Sequence, residues 1–321
     1  MSRPERPKPF LKLLGERTLF QQALDRVADP DRFAPPLIVA GESHERFIAE
    51  QAGAHSLIVE PSARNTAPAI ALAAARLAPD TVMLVCPSDH YVADERRFVE
   101  AASSAAELAQ EGWLVSIGIE PTRPETGYGY IQRGEALAQG HRVARFVEKP
   151  DAERAEAFLA DGDFVWNGGI FAFQAGAYLD ELARHRPEMA AAVRGAVDQG
   201  SEDASLFHPS AEHFDAIKGE SVDYAIMENT DHAAVIAADM GWSDIGNWDA
   251  LMAARKADAQ GNVNEPTARL LGCSGVMALS DGPRVSAVGL DNIIIVVEGD
   301  EVLVVARDAV QQVADLSSGS A

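Results

Sequence analysis

Short apolar runs alternate with longer stretches of helical period through most of the chain. Runs at 37–40, 56–59, 81–85, 114–119, 143–147 and 233–238 have the length and bounding turn residues of buried strands. Between them, 18–27, 44–52, 69–77, 95–111, 151–160 and 178–197 repeat apolar residues at helical spacing, the last interrupted at Pro187. This alternation predicts βαβ units and an α/β sheet. Residues 1–10, with Pro4, Pro7 and Pro9, read as an extended loop, and the polar stretch 200–220 reads as a loop or lid. Beyond about 262 the helical pattern stops. The branched runs 293–297 and 302–306, joined by Glu298-Gly299-Asp300-Glu301, predict a hairpin in a small β-rich domain. Residues 256–262 read as the linker, which divides the chain into 1–258 and 262–321.

The chemistry gathers where strands end. The run at 81–85 passes through Cys86 into Pro87-Ser88-Asp89-His90. Its continuous apolar character suits a strand buried on both faces of a parallel sheet. Asp89 is placed either to hold a divalent cation beyond the strand's carboxyl end or to cap the next helix. The segment Arg64-Asn65-Thr66-Ala67-Pro68 opens the helix at 69–77, with Thr66 as the expected N-cap. It reads as an ordinary capped start, or as a helix end whose N–H groups and Arg64 take an anion. Gly127-Tyr128-Gly129 lets backbone approach a ligand closely, and also occurs in common turns. Glu148-Lys149 at the end of 143–147 reads as solvated surface or as a site. Asn167, in the apolar run 164–173, must find partners from its own backbone or from a ligand. Asp244 lies between Gly241-Trp242 and Gly246-Asn247-Trp248, the setting of an Asx-turn. No G-x-G-x-x-G or G-x-x-x-x-G-K-[ST] fingerprint occurs.

Charge narrows the partners. The 321 residues carry a net charge of −22 and are 47% hydrophobic, so a disordered chain is excluded. Nucleic acid and anionic membrane surfaces are repelled at long range. Anionic substrates would have to be held by local cations, metal or oriented N–H groups. Cys86 and Cys273 show no metal-ligand spacing and read as small buried hydrophobes. With no apolar stretch of membrane length, a cytoplasmic protein is expected.

Eight segments together resemble the mannose-1-phosphate guanylyltransferases: 6–10, 60–68, 87–90, 121–130, 146–150, 166–171, 221–228 and 241–248. Each is weak alone, but their order and spacing both match. The resemblance implies a nucleotide-diphospho-sugar transferase fold, Rossmann-like, with a mixed, mostly parallel sheet. It also implies a small C-terminal β appendage of the kind that pairs subunits into a homodimer. The implied reaction joins GTP and mannose 1-phosphate to give GDP-mannose and pyrophosphate. Asp89 and Asp244 would share Mg2+ as the metal ligands, and Lys8 would contact the nucleotide phosphates as a further catalytic group. Arg64, Asn65, Thr66, Pro87 and Ser88 would line the nucleotide side together with Asp89. Gly129, Glu148 and Asn167 would hydrogen-bond the mannose, and Lys149 would neutralise its phosphate. Rival readings are a sugar-1-phosphate nucleotidyltransferase of other specificity and a catalytically silent paralogue that binds nucleotide sugars.

The sequence departs from this pattern in three places. Pro9 stands where the family has Gln. The family opens with a first strand and a Gly-rich loop, broadly G-G-x-G-T-R-L-W-P-L, before the Ser-Arg-Pro that stands here at Ser2. Here Met1 directly precedes that Ser2. Without the cradle of N–H groups that such a loop offers phosphates, the expectation is weak GTP binding and little turnover. Strands flanking the absent one are expected to keep unpaired edges. The isomerase domain of bifunctional relatives is also absent, so no isomerase activity is expected.

Overall fold

A computed structural model describes residues 6–313 and Leu316. The segment Met1-Ser2-Arg3-Pro4 lies outside the described residues. The first part of the chain runs α1 (Leu19–Asp25), β1 (Leu37–Gly41), α2 (Glu45–Gln51), β2 (Ser56–Glu60), α3 (Thr66–Ala74), β3 (Val82–Val85) and β4 (Tyr91–Val92). Next come α4 (Glu95–Gln110), β5 (Leu114–Ile119), β6 (Tyr130–Ala136), β7 (His141–Val147), α5 (Ala152–Asp161), β8 (Phe164–Gln174), α6 (Ala175–His185) and α7 (Pro187–Asp198). Then follow β9 (Ser201–Asp203), β10 (Leu206–His208), α8 (Ala211–Phe214), β11 (Ala233–Ala237), β12 (Trp242–Ser243) and α9 (Trp248–Ala254). The end of the chain holds β13 (Val263–Asn264), β14 (Ala268–Leu271), β15 (Met277–Ser280), β16 (Val285–Val288), β17 (Ile293–Glu298) and β18 (Glu301–Ala306). Two compact units result among the described residues: one of 20–88 with 92–242, the other of 6–19, 89–91 and 243 onward.

The larger unit is α/β. One sheet has the order β1-β2-β10-β9 and the other β3-β8-β5-β11-β7-β6, with β6 also pairing β8. Pairing is parallel at β1–β2, β2–β10 and β5–β11, and antiparallel along β8. β5, buried throughout as LVSIGI, carries helix α4 through Phe98, Ala105 and Leu108. Asp94 starts α4 by accepting from the Arg97 N–H at 3.0 Å. Asp89 therefore does not cap this helix.

Four local expectations are corrected. The run at 81–85 is not buried on both faces of a parallel ladder. β3 is only partly buried and pairs antiparallel with β8. Residues 200–220 are more than a loop, because Leu206 and Phe207 supply an apolar pair and add β10 to β2. The N-cap of α3 is Asn65, whose side chain accepts from the Thr66 N–H at 2.8 Å, and not Thr66. Residues 8–10 are not extended but form a 3-10 turn, which suits the fixed φ of Pro9 in its middle. In the strand orders, β1 has only β2 as neighbour and β3 only β8, so each keeps one edge without a ladder partner among the described residues.

The smaller unit is built on parallel pairing at short spacing. β13, β15 and β17 stack in one sheet, β14 and β16 in another, and β18 returns antiparallel to β17 through Gly299 at φ +57°. Its core joins Met277, Leu279, Ile294 and Val296 to Ile245, Trp248 and Leu251, with Leu13, Leu14 and Tyr91 packed alongside. The N-terminal segment is fastened there by Arg255, which donates from Nε and Nη2 to the Leu13 carbonyl at 3.1 and 2.6 Å.

Candidate active site

The sequence-predicted residues form one cluster in the smaller unit and, in the larger unit, a second cluster and a separate nucleotide-side group. In the smaller unit, Lys8 Nζ donates to Asp89 Oδ2 at 2.8 Å and to the main-chain carbonyl of Asp244. Lys8 sits in the 3-10 turn with its side chain 17% exposed, whereas that of Asp89 is 35% exposed, so the pair is only partly shielded from screening by water. Asp244 does make the Asx-turn: its Oδ1 accepts from the Gly246 N–H at 3.0 Å. A Cβ on Gly246 would stand 2.7 Å from Asp244 Oδ2, so a larger residue there would displace that carboxylate. The His90 ring flanks Asp89, Nε2 to Oδ1 at 3.9 Å.

This cluster suits a hard divalent cation. Its donors are carboxylate and carbonyl oxygens, and a cationic group already stands among them in the form of the Lys8 ammonium. No trio of His, Cys, Asp or Glu forms a metal cage among the described residues. Mg2+ commonly takes only one or two carboxylates and completes its shell with water and substrate phosphates. The residues present therefore fit such an ion.

In the larger unit a second cluster forms around Asn167. Ladder pairing between β5 and β8 jumps from Ile117↔Ile170 to Gly118↔Asn167, so Gly168 and Gly169 are extra residues in a bulge. The bulge turns the Asn167 amide toward three partners. Its Oδ1 accepts from Ser116 Oγ and the Gly169 N–H, each at 3.1 Å, and its Nδ2 donates to Asp223 Oδ1 at 2.8 Å. Gly129 lies against this group, its carbonyl accepting from the Asn167 N–H at 2.8 Å. A Cβ on Gly129 would stand 2.5 Å from Glu148 Oε2 and 3.2 Å from Asn167 Cβ, so a larger residue here would displace the Glu148 carboxyl group.

Glu148 is not the solvated surface residue that its doublet with Lys149 suggested. Its side chain is 10% exposed, and Oε2 is buried without a hydrogen-bond partner among the described residues. Burial, then the nearby Asp223, push its carboxyl above the ordinary carboxylate range, while Lys149 at 3.3 Å opposes this. Asp223 is raised too, chiefly by burial, against the hydrogen bond from Asn167. Lys149 takes φ +46°. Tyr128 stands edge-on to Trp166 and to Trp242 at 5.3 Å each. The Trp166 Nε1 donor is buried without a partner among the described residues. An acceptor-rich, aromatic-walled site of this kind suits a polyhydroxylated ligand.

Asp223 is the residue that sequence reasoning missed. It opens a π-helical turn, Asp223–Met227, and such turns gather at functional positions. Its signal was a carboxylate in the otherwise apolar run that supplies Val222, Ala225, Ile226 and Met227 to the core.

The nucleotide-side candidates are clamped from residues 215–222. Arg64 O accepts from the Glu220 N–H at 3.2 Å, and the Ala67 N–H donates to Glu220 O at 3.1 Å. Thr66 Oγ1 accepts from the Val222 N–H at 2.9 Å. Arg64 Nη2 donates to the Asp215 carbonyl at 2.7 Å, and Asn65 takes φ +69° to make the corner. Pro87 and Ser88 follow β3 and are half-buried. Cys86 and Cys273 are free thiols, and burial raises that of Cys86 to about 11.

The nucleotidyl transferase family pattern matches residues 3–261, which sets the class of protein. Mannose-1-phosphate guanylyltransferase of Klebsiella pneumoniae is 43% identical over 328 residues, covering 98% of this chain and 69% of that protein. Xanthan biosynthesis protein XanB of Xanthomonas campestris is 41% identical over 327 residues, covering 99% and 69%. A solved structure described as mannose-1-phosphate geranyltransferase from Thermus thermophilus superposes with a TM-score of 0.89 at 33% identity. It covers 99% of this chain and 93% of that one. The chain belongs to the mannose-1-phosphate guanylyltransferase family, and it is a nucleotidyltransferase.

Proposed function

We propose that the protein transfers the guanylyl group of GTP to mannose 1-phosphate, giving GDP-mannose and pyrophosphate. The substrates are those named for its relatives. The geometric observation that carries the reading is the Lys8 ammonium gathered by Asp89 and Asp244. That cluster handles phosphate charge in a chain whose net charge of −22 would otherwise repel two polyanions. A phosphate oxygen of mannose 1-phosphate forms the new bond to the α-phosphorus. The bond from that phosphorus to the bridging α–β oxygen breaks, and its electrons leave with pyrophosphate. No protein nucleophile is assigned, so rate comes from positioning and charge neutralisation.

Lys8 binds nucleotide phosphates, and Arg64 lies with the residues that line the nucleotide side. Asn65, Thr66, Pro87 and Ser88 line the nucleotide side, and Lys149 neutralises the sugar phosphate. Glu148 and Asp223 accept from mannose hydroxyls beside Gly129. Asn167 keeps one Nδ2 hydrogen beyond the one given to Asp223, and donates it to the sugar. Held by Asp89 and Asp244, Mg2+ would neutralise charge on both phosphate groups and hold them together. Soluble substrates fit a cytoplasmic enzyme, and the exposed Val302 and Val304 of the edge strand β18 support a homodimer. The test is pyrophosphate release across a panel of nucleoside triphosphates and sugar 1-phosphates. Release should be greatest with GTP and mannose 1-phosphate, and a clear preference for another pair would overturn the reading.

A further inference from the structure

Arg186 stands where α6 ends and α7 begins. It closes α6 by donating its main-chain N–H to the Leu182 carbonyl at 2.7 Å, and Pro187 opens α7 directly behind it. A residue before proline is kept out of the helical region, and Arg186 takes φ −139° and ψ 63°. Both helices pack into the core, α6 through Tyr178 and Leu182 and α7 through Met189 and Val193, so the base of the Arg186 side chain is fixed. The guanidinium forks onto Glu220, with Nε donating to Oε2 and Nη2 to Oε1, each at 2.7 Å. Nη2 also donates to the Tyr224 carbonyl at 3.1 Å, and Nη1 to the His185 carbonyl at 2.8 Å. One side chain thus clasps both ends of the segment 220–224. The hydrogen bonds from Arg186 hold the Glu220 carboxyl below the ordinary carboxylate range, so the clasp is charged at neutral pH.

What the clasp holds reaches both candidate groups of the larger unit. The Glu220 main chain makes two hydrogen bonds to the corner at 64–67, and the Val222 N–H donates to Thr66 Oγ1. Asp223, one residue on, accepts from Asn167 Nδ2. Lys218, Gly219, Glu220 and Ser221 bring no apolar side chain to the core, so hydrogen bonds rather than packing set their place. The side chains of Arg186 and Glu220 are 34% and 26% exposed, and an ion pair so open to water adds little to stability. Its two-pronged geometry fixes direction instead. Each nitrogen of the guanidinium is engaged within the protein, so this is not a group held open for phosphate.

We infer that Arg186 is a positioning residue for both substrates, fixing through Glu220 and Tyr224 the segment that joins the nucleotide-side corner to Asp223 on the sugar side. This rests on the reading of those two groups as the two substrate sides. Arg186 itself touches neither substrate. Its loss should loosen both sides together, while Lys8 and Asp89 keep their own contact.

The test is steady-state pyrophosphate release from GTP and mannose 1-phosphate by the parent, Arg186→Gln, Glu220→Gln and the double variant. In each single variant both KM values should rise about tenfold, and kcat should change far less. The double variant should be no worse than either single one, because the two residues act as a unit. Arg186→Lys keeps the charge without the fork and should recover part of the loss. Melting temperatures should fall by no more than about 4 °C. A rise in only one KM or in neither, or effects that multiply in the double variant, would overturn the inference. So would variants that unfold or melt far below the parent, since the clasp would then be structural. A parent that prefers another nucleotide or sugar 1-phosphate defeats the guanylyltransferase reading alone, because the same comparison is then made with the preferred pair.

Discussion

The Lys8 ammonium stands 2.8 Å from Asp89 Oδ2 although 81 residues separate them, and it also reaches the Asp244 carbonyl. Three segments far apart in sequence therefore supply one charged cluster. The 3-10 turn at Lys8–Phe10 and the Asx-turn at Asp244 fix two of them. Such a cluster places positive and negative charge together where a polyphosphate and its counter-ion would need them.

The Asn167 network makes separable predictions. Asn167→Ala removes the partner of Ser116 Oγ, the Gly169 N–H and Asp223, and should destabilise the fold by about 1–3 kcal/mol. Thermal unfolding would show it, and an unchanged midpoint would mean that the network is slack. Asp223→Asn keeps the shape and weakens an acceptor. It should raise KM for mannose 1-phosphate about tenfold and leave KM for GTP nearly unchanged. An equal rise for GTP would count against a sugar-side role.

Glu60 predicts a pH dependence of known sign. Burial raises its carboxyl from the ordinary 4.5 to about 7. Between those values the folded protein holds a proton that the unfolded chain has released, so stability falls as pH rises through this window and levels above it. Glu60→Gln cannot ionise. Its stability relative to the parent should therefore grow from about pH 4.5 to about pH 7 and then stay constant. Denaturant midpoints across that range test this, and parallel curves for the two proteins would refute it.

Removal of residues 261–321 would strip Met277, Leu279, Ile294 and Val296 from Ile245, Trp248 and Leu251. Each large side chain returned to water forfeits about 1.5–3 kcal/mol. A protein ending at Gln260 should melt well below the parent or aggregate, as seen by calorimetry and light scattering. The same melting temperature and mass as the parent would show these contacts to be dispensable.

The α/β alternation was legible because its strands are continuous apolar runs and its helices keep their period. Strands β13 to β16 were not, since runs of two to four residues carry no usable period. β10 was missed for the same reason inside a polar stretch. Site residues at strand ends, such as Asp89 and Glu148, stood out as charges closing apolar runs. Asp223 did not, because a single acid near the start of a helical segment reads as an ordinary first-turn residue. Glu60 looked like a strand terminus, and only its burial and its unpaired oxygen distinguish it. That Lys8 meets Asp89 depends on long-range chain reversal, which local pattern does not encode.

Asp89, gathered with Lys8 and Asp244, is the group on which nucleotidyl transfer is expected to depend most. The direct measurement is pyrophosphate release from GTP and mannose 1-phosphate by the parent and by Asp89→Asn, with folding checked by circular dichroism. Loss of an oriented charge at a phosphate site predicts a fall in kcat of about a hundredfold or more with the fold intact. Undiminished turnover in folded Asp89→Asn would contradict the account.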